Sequence, residues 1–313
     1  MFKIDNIRIE QLSHNLEEKV WQPKHASFIN KFLANDLAAV DTTTSHLTTV
    51  DSLQAQELTK DISSKLIVNS ISALVNWQVS FKQMVDFTHA RDAQTVDQIL
   101  LLQHEPVFTQ GINGKAEHLL QQQANIPVMQ ADRGGQITYH GPKQQIIYLL
   151  IDFERKKKHY ANFDVKFYAR NIISAMENAV VNILTHLGLK NVHAKLDAPG
   201  IYVEQKKISS LGIKVTRQGT YHGIAINLDM DLAPFHSINP CGYAGLEMCN
   251  VLDYVDVQAL HALGLITADQ VKTYTHEDLY HLIQELVSEY FVSYIAKCFA
   301  YEQILDGKNL SAI

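Results

Sequence analysis

Cysteine, glycine, proline and positive charge are all scarce in this chain, and long apolar runs are missing. Three cysteines, Cys241, Cys249 and Cys298, stand among 313 residues. They cannot all pair within one chain, and no two show the CxxC spacing of a zinc or redox motif. A cysteine with a special role is therefore expected to act as a thiol. The longest apolar stretches, such as Ile146 to Ile151 and Val180 to Leu184, fall far short of the ~20 residues that cross a bilayer, so no membrane contact is expected. The first residues, MFKIDNIRIEQLSH, carry acidic side chains and no apolar core ending in a small-residue cleavage site. A secretory leader is not expected, and the cytoplasm is the expected compartment. Lys and Arg total 27 against 33 Asp and Glu, which argues against nucleic acid as a partner, because phosphate binding needs a cationic surplus on one face. The one dense basic run, RKKKH from Arg155 to His159, reads as a solvated loop. Its alternative is a docking site for an acidic protein.

What remains is ordinary globular material. Hydrophobic residues at 46% and charged residues at 19% exclude global disorder and fibrous repeats. Residues 1–68 form an expected extension: an amphipathic piece around FINKFLAND is followed by the polar, linker-like run DTTTSHLTTVDS at 41–52. The remaining 69–313 are expected to form the principal domain, closed by C-terminal helices. From Leu66 onward, short β-like runs alternate with helical periodicity. LIVNSISALVNW reads as a strand, Gln78 to Arg91 as a helix, Gln98 to Gln103 as a strand, HEPVFTQGING as a loop by its Pro and Gly, IPVMQ as a short strand and QQIIYLLID as a buried strand. Phe167, Ile172, Met176, Val180, Ile183 and Leu187 recur at helical spacing, with Gly188 where a C-capping glycine would stand. GIYVEQ, KISSLGIKVT and YHGIAINLDM read as three further strands. The last third is helical, with Leu279, Ile283, Leu286, Tyr290, Tyr294 and Cys298 on one stripe, which makes Cys298 a packing residue. Elements mixed in this way predict an α/β or α+β domain with a central mixed sheet and flanking helices.

Three constellations carry chemistry. In Arg133, Gly134, Gly135, Gln136, Ile137, Thr138, Tyr139 and His140, followed by Gly141 and Pro142, two adjacent glycines let the backbone approach a ligand, and Arg133 and His140 supply polar groups at the ends of the loop. Taken alone, the same stretch fits a turn with a surface arginine and a core histidine. In Lys206, Lys207, Ile208, Ser209, Ser210, Leu211 and Gly212, strand alternation puts one lysine on each face, and an edge strand guarded by lysines is the bland reading. In Asn239, Pro240, Cys241, Gly242, Tyr243, Ala244 and Gly245, a cysteine between proline and glycine lies on a tight turn, where a sulfur can be exposed near backbone N–H groups. Cys249 lacks that setting.

Taken together, the motifs identify a family. DRGGQITYHGP resembles the signature of the lipoyl(octanoyl) transferases, and PGIYV, KISSLG, YHGIAIN and INPCGYAG are similar to that family's further motifs in the same order, over roughly 69–260. The resemblance implies the fold shared by biotin protein ligases and lipoate ligases. It implies an acyl-thioester cysteine at Cys241 and an activating lysine at Lys207. It implies substrate contacts at Arg133 to His140, at Ser210, Leu211 and Gly212, and at Gly223, Ile224 and Ala225. The implied donor is octanoyl-acyl carrier protein. The implied acceptors are the lysines of lipoyl domains in 2-oxoacid dehydrogenases and of the glycine cleavage H protein. Neither metal nor cofactor is implied, since a thioester already carries the activated acyl group. An ATP-dependent lipoate or biotin ligase of the same fold, and a non-catalytic carrier-protein-binding module, are the rival readings. Three positions depart from the family pattern: Lys143 replaces the glycine of HGPGQ, Gln103 stands where glutamate is common, and Glu105 where proline is common.

Strict period-2 counting along KKISSLGIK places Ser209, Leu211 and Ile213 on the face of Lys207, and Ser210, Gly212 and Lys214 on that of Lys206. The count does not say which face meets a cleft. The resemblance chooses Lys207.

Overall fold

The computed structural model describes residues 19–38, 62–121, 123, 125–156 and 165–307. Helix α1 spans Ala26–Ala38, strand β1 Lys65–Val75, helix α2 Trp77–His89 and strand β2 Asp97–His104. Four short strands follow: β3 (Val107–Gln110), β4 (Val128–Gln130), β5 (Ile137–His140) and β6 (Gln144–Leu150). After one helical turn, α3 (Phe153–Lys156), comes the long helix α4 (Val165–His186). Strands β7 (Val192–Ala194), β8 (Ile201–Val203), β9 (Lys206–Val215) and β10 (Thr220–Asn227) lead to helices α5 (Val257–Ala262), α6 (Ala268–Thr273) and α7 (His276–Cys298), and β11 (Gln303–Asp306) ends the described chain.

The centre is an eight-stranded mixed sheet in the order β11-β1-β2-β6-β10-β9-β8-β7. β1 runs parallel to both β11 and β2, and the remaining neighbours are antiparallel. β2 and β6 are nearly continuous apolar runs because both of their faces are covered. Ile99, Leu101, Ile147 and Leu149 enter the core shared with α4 and α7, whereas Leu100, Leu102, Ile146, Tyr148 and Leu150 enter a second core under α2. A three-stranded sheet, β4-β3-β5, forms a third small core from Phe108, Ile137 and Tyr139 with Phe235 and Ile238. Among the described residues no helix is long and apolar enough to cross a membrane.

The segment read as a loop, HEPVFTQGING, contains β3. Its Pro and Gly flank only four strand residues, and their pairing with β4 and β5 is long-range, which local punctuation cannot report. The single stripe expected for α7 is also too narrow: Tyr280, Leu282, Val287, Phe291, Val292 and Ile295 are buried as well. A helix covered on several sides loses its polar face, and here α1 supplies the extra cover.

The described part of the extension joins the main core. Phe28, Ile29 and Leu33 are buried against α4 and α7. Glu289 of α7 accepts hydrogen bonds from the backbone N–H groups of Lys24 (2.8 Å) and His25 (3.0 Å), just before α1. Asp36 at the other end accepts from His186 Nε2 at 2.7 Å and from the Tyr290 hydroxyl. The polar run at 41–52 and the first residues lie outside the described residues.

The basic run does not form a solvated loop where it is described. Arg155 donates to Thr95 O (2.7 Å) and Asp92 O (3.2 Å), and Lys156 is 1% exposed, with its ammonium on Ser63 O and Phe299 O at 2.8 Å each. Both cations cap carbonyls at element ends, so neither can present charge to an acidic partner. Lys157 to His159 lie outside the described residues.

Glu289→Ala removes the acceptor for two amides at the start of α1. The expected loss is about 1–3 kcal/mol, read as a lower urea midpoint with an unchanged slope. An unchanged midpoint would show that the carboxylate holds nothing.

Candidate active site

A narrow cleft of about 40 Å³ opens where β9 and β10 meet β5, the start of α2 and the turn around Cys241. Its walls bring together residues from all three sequence constellations: Arg133, Gln136, Thr138 and His140; Ser210, Leu211 and Gly212; and Cys241, together with Gly223, Ile224 and Ala225. Ile137 and Tyr139 point the other way, into the core of the small sheet, because strand side chains alternate. Gly134 and Gly135 do not line the cleft.

Cys241 sits at φ +56°, and Gly242 follows at φ +81°. Tyr243 N–H closes the turn on Pro240 O at 3.1 Å. Two consecutive left-handed residues are the mark of a type I′ turn, a conformation costly for a residue with a Cβ. Here it aims the cysteine sulfur at Lys207, whose Nζ donates to Cys241 Sγ at 2.9 Å and to Pro199 O at 2.8 Å. Lys207 is fully buried. Its side chain passes over Gly200, where an added Cβ would meet Lys207 Cε at 2.4 Å. Lys206 points outward to Glu247, at 3.1 Å.

The face count along β9 needs correction. β8 pairs Val203 with Lys206 and Tyr202 with Lys207, but Ile201 with Ser209, so the register slips at Ile208. One extra residue in a strand reverses the faces beyond it. Lys207 therefore shares the cleft face with Ser210 and Gly212, while Ile208, Leu211 and Ile213 pack toward the core under α4. Ser209 turns its hydroxyl to Ala225 O at 2.8 Å.

The RGG loop lies over this strand. Gly134 N–H donates to Ile213 O at 3.3 Å, and a Cβ on Gly212 would come within 3.0 Å of Gly134 O, so glycine sets the approach. Arg133 spends its guanidinium inside the protein, donating to Thr109 O and Oγ1 at 2.8 Å and to Gly134 O and Gln136 O at 3.0 Å. Gln144 Nε2 donates to Asn227 Oδ1 at 2.9 Å. Its Oε1 therefore accepts from His140 Nδ1 at 2.7 Å, and His140 Nε2 takes the Thr109 hydroxyl at 3.2 Å. This chain of bonds requires a neutral imidazole at His140.

Residues outside the sequence reading complete the walls. Trp77, Ile146, Tyr148 and His222 line the cleft. His104 donates from Nδ1 to Val75 O at 2.9 Å and accepts at Nε2 from Tyr148, 2.7 Å away. His222 donates to Asp132 Oδ1 at 3.0 Å and stacks on Phe81. Burial pushes the His104 imidazole down to about 4, and burial likewise holds His140 and His222 below the usual histidine range. DRGG and YHG were visible as motifs, but nothing local singles out Asp132 or His222, and Trp77 reaches the cleft only through the fold. Cys249 is buried, and burial pushes its thiol up to about 11. Among the described residues no cluster of three or more His, Cys, Asp or Glu could hold a metal ion.

Lys143 stands away from the cleft. It adopts φ +63°, the left-handed conformation that a glycine would take there, and its ammonium bridges Asp229 (2.8 Å) and Glu277 (2.9 Å). Gln103 accepts from Lys143 N–H at 2.6 Å and donates to the Tyr280 hydroxyl at 2.6 Å. Glu105 accepts from Asn76 Nδ2 at 3.1 Å.

A model of the lipoyl protein ligase A/B catalytic domain matches residues 62–279. The chain is 51% identical over 195 residues to an octanoyltransferase of Haemophilus influenzae (strain PittEE), covering 62% of this chain and 87% of that protein. It is 50% identical over 194 residues to an octanoyltransferase of Mannheimia succiniciproducens, covering 62% and 85%. Among solved structures, lipoate-protein ligase A bound with ATP aligns at 15% identity with a TM-score of 0.49, over 76% of this chain and 99% of that one.

Two measurements check this geometry. An imidazole buried neutral has a folded pKa below its unfolded one, so the unfolded chain binds more protons between the two values, and stability falls as pH drops from about 6.5 toward about 4. His104→Gln should remove one proton from that slope, about 1.4 kcal/mol per pH unit, in urea unfolding across this window. An unchanged slope would contradict a neutral buried His104. At position 143, alanine and glycine both lose the ion pairs, but only alanine keeps the left-handed strain. Lys143→Gly should therefore exceed Lys143→Ala in stability by about 1 kcal/mol, after the unfolded-state entropy of glycine is set against the relieved strain. Equal stabilities would mean that the strain is absent.

Proposed function

Since the chain belongs to the octanoyltransferase family of lipoyl protein ligase A/B catalytic domains, we propose that it moves an octanoyl group from acyl carrier protein, through a thioester on Cys241, to the lysine of a lipoyl domain. The acceptors proposed are lipoyl domains of 2-oxoacid dehydrogenases and the glycine cleavage H protein. The observation that carries this reading is the 2.9 Å contact between the buried Lys207 ammonium and Cys241 Sγ at the mouth of the cleft.

The pair supplies both halves of the reaction. An ammonium beside the sulfur favours thiolate, the nucleophilic form. The thiolate attacks the carbonyl carbon of the donor thioester, and the carbonyl π pair moves onto oxygen. Collapse of that intermediate breaks the bond to the donor sulfur, and the leaving thiolate takes a proton from Lys207. An acyl-enzyme and a neutral amine remain. The acceptor lysine, as the free amine, attacks the acyl-enzyme, Lys207 takes back a proton from it, and Cys241 leaves as thiolate. The ammonium and thiolate are restored, so the cycle balances. Ile146, Ala225 and Trp77 give the cleft apolar walls for the alkyl chain.

Intact mass spectrometry after incubation with octanoyl-acyl carrier protein should show one octanoyl group gained by the wild type and none by Cys241→Ser. Lys207→Ala should cut transfer severely while Lys206→Ala leaves it unchanged. Transfer that survives Cys241→Ala but not Cys249→Ala would overturn the assignment. Loading from octanoate and ATP alone would instead mark a ligase. Each buried CH₂ contributes about 0.8 kcal/mol, so butanoyl donors should react roughly tens-fold to hundreds-fold more slowly than octanoyl. Equal rates from C4 to C16 would exclude a medium-chain slot.

A further inference from the structure

We propose that the Gln136 side-chain amide is a catalytic hydrogen-bond donor to the acyl oxygen at Cys241, a role that rests on the acyl-transfer reading above. The arrangement begins with strand alternation. Ile137 and Tyr139 fill the small-sheet core, so Gln136, Thr138 and His140 form a polar row along the cleft. The charged neighbours of this row turn most of their donors into the protein. Arg133 is committed to Thr109, Gly134 and Gln136 carbonyl oxygens, His140 to Gln144 and Thr109, and His222 to Asp132. Gln136 Oε1 and Thr138 Oγ1 are different. Both atoms are buried, and neither meets a hydrogen-bond partner among the described residues. A buried polar atom left unpaired costs about 1–3 kcal/mol, and two of them in a cleft wall point to a polar group of the ligand.

Position separates the two. The Gln136 amide lies directly against Gly242, the residue after the nucleophile: a Cβ at Gly242 would stand 2.3 Å from Oε1 and 2.5 Å from Nε2. Glycine at 242 therefore admits the amide to the backbone that carries the reacting sulfur. Thr138 lies two residues further along the strand, about 7 Å away by strand rise. Of the two, Gln136 is the one placed against the backbone that carries Cys241. The ends of an amide are nearly isosteric, and rotation about the terminal torsion presents Nε2–H to either side.

Charge development makes the contact catalytic. When the Cys241 thiolate bonds to the thioester carbon, the carbonyl π electrons become a full negative charge on oxygen, and they return when the donor C–S bond breaks. The same oxygen is charged again when the acceptor amine attacks. An N–H bond to the oxyanion is stronger than one to the neutral carbonyl, so it lowers the barrier more than it tightens binding.

The test compares Gln136→Ala and Gln136→Glu with the wild type, using octanoyl-acyl carrier protein as donor and a lipoyl domain as acceptor. The glutamate variant is near-isosteric, keeps the packing on Gly242 and has no donor when ionised, so it also guards against misfolding of the alanine variant. Both should lose about 10²-fold in kcat with KM within about twofold, while iodoacetamide alkylates Cys241 of Gln136→Ala at the wild-type rate. Wild-type kcat in Gln136→Glu, or a loss confined to KM, would overturn the proposal. Failure of the wild type to form octanoyl-Cys241 would instead overturn the acyl-transfer reading itself, so the two failures are distinguishable.

Discussion

A lysine ammonium buried beside a cysteine sulfur is the constraint on which the rest of the site depends. A charge out of water needs partners, and Lys207 donates to Pro199 O and Cys241 Sγ and lies over the Tyr202 ring. Each partner imposes a local demand on the chain. The carbonyl comes from a loop that must pass so close that only glycine fits at position 200. The sulfur comes from a turn whose two central residues are left-handed. The bulge at Ile208 then swings Ser210 and Gly212 onto the same side as the lysine, and the RGG loop settles on them. Lys207, Ser210 and Gly212 thus share one face beside Cys241 because of a single extra strand residue.

Around this pair the protein keeps its other polar groups neutral or occupied. Three imidazoles, His104, His140 and His222, are held below their usual range by burial, which works against a third cation beside Arg133 and Lys207. Arg133 itself is bound to carbonyls and a hydroxyl of its own fold. The cleft consequently concentrates mobile proton chemistry at one amine. This economy suits the proposed acyl transfer, in which a proton goes to one sulfur and is recovered from an amine at the same place.

Much of this was legible in the residues. The apolar strand run from Gln98 to Gln103, the helical recurrence from Ile172 to Leu187 and the motif series RGG, KISSLG and PCG already describe a sheet, a long covering helix and a converging site. The remainder depends on contacts that sequence spacing cannot express. Period-2 counting misassigned Ser209, Ser210 and Leu211 because a bulge leaves no compositional trace in KISSLG. Arg155 and Lys156 resemble a solvated patch until long-range carbonyls from Ser63, Asp92, Thr95 and Phe299 are seen to claim them. Lys143 looked like a disturbance of a glycine loop, yet it reproduces the left-handed backbone and directs its charge to Asp229 and Glu277. α1 belonged to an extension by composition, and its buried Phe28, Ile29 and Leu33 place it in the main core.

The central claim is that the Lys207 ammonium makes Cys241 a nucleophile. The rate of Cys241 alkylation by iodoacetamide at neutral pH, in the wild type and in Lys207→Met, tests it most directly, because methionine keeps the buried volume and removes only the charge. The account predicts a loss of at least about tenfold with the fold intact, as expected when a thiolate loses its adjacent cation. Equal alkylation rates in the two proteins would contradict it.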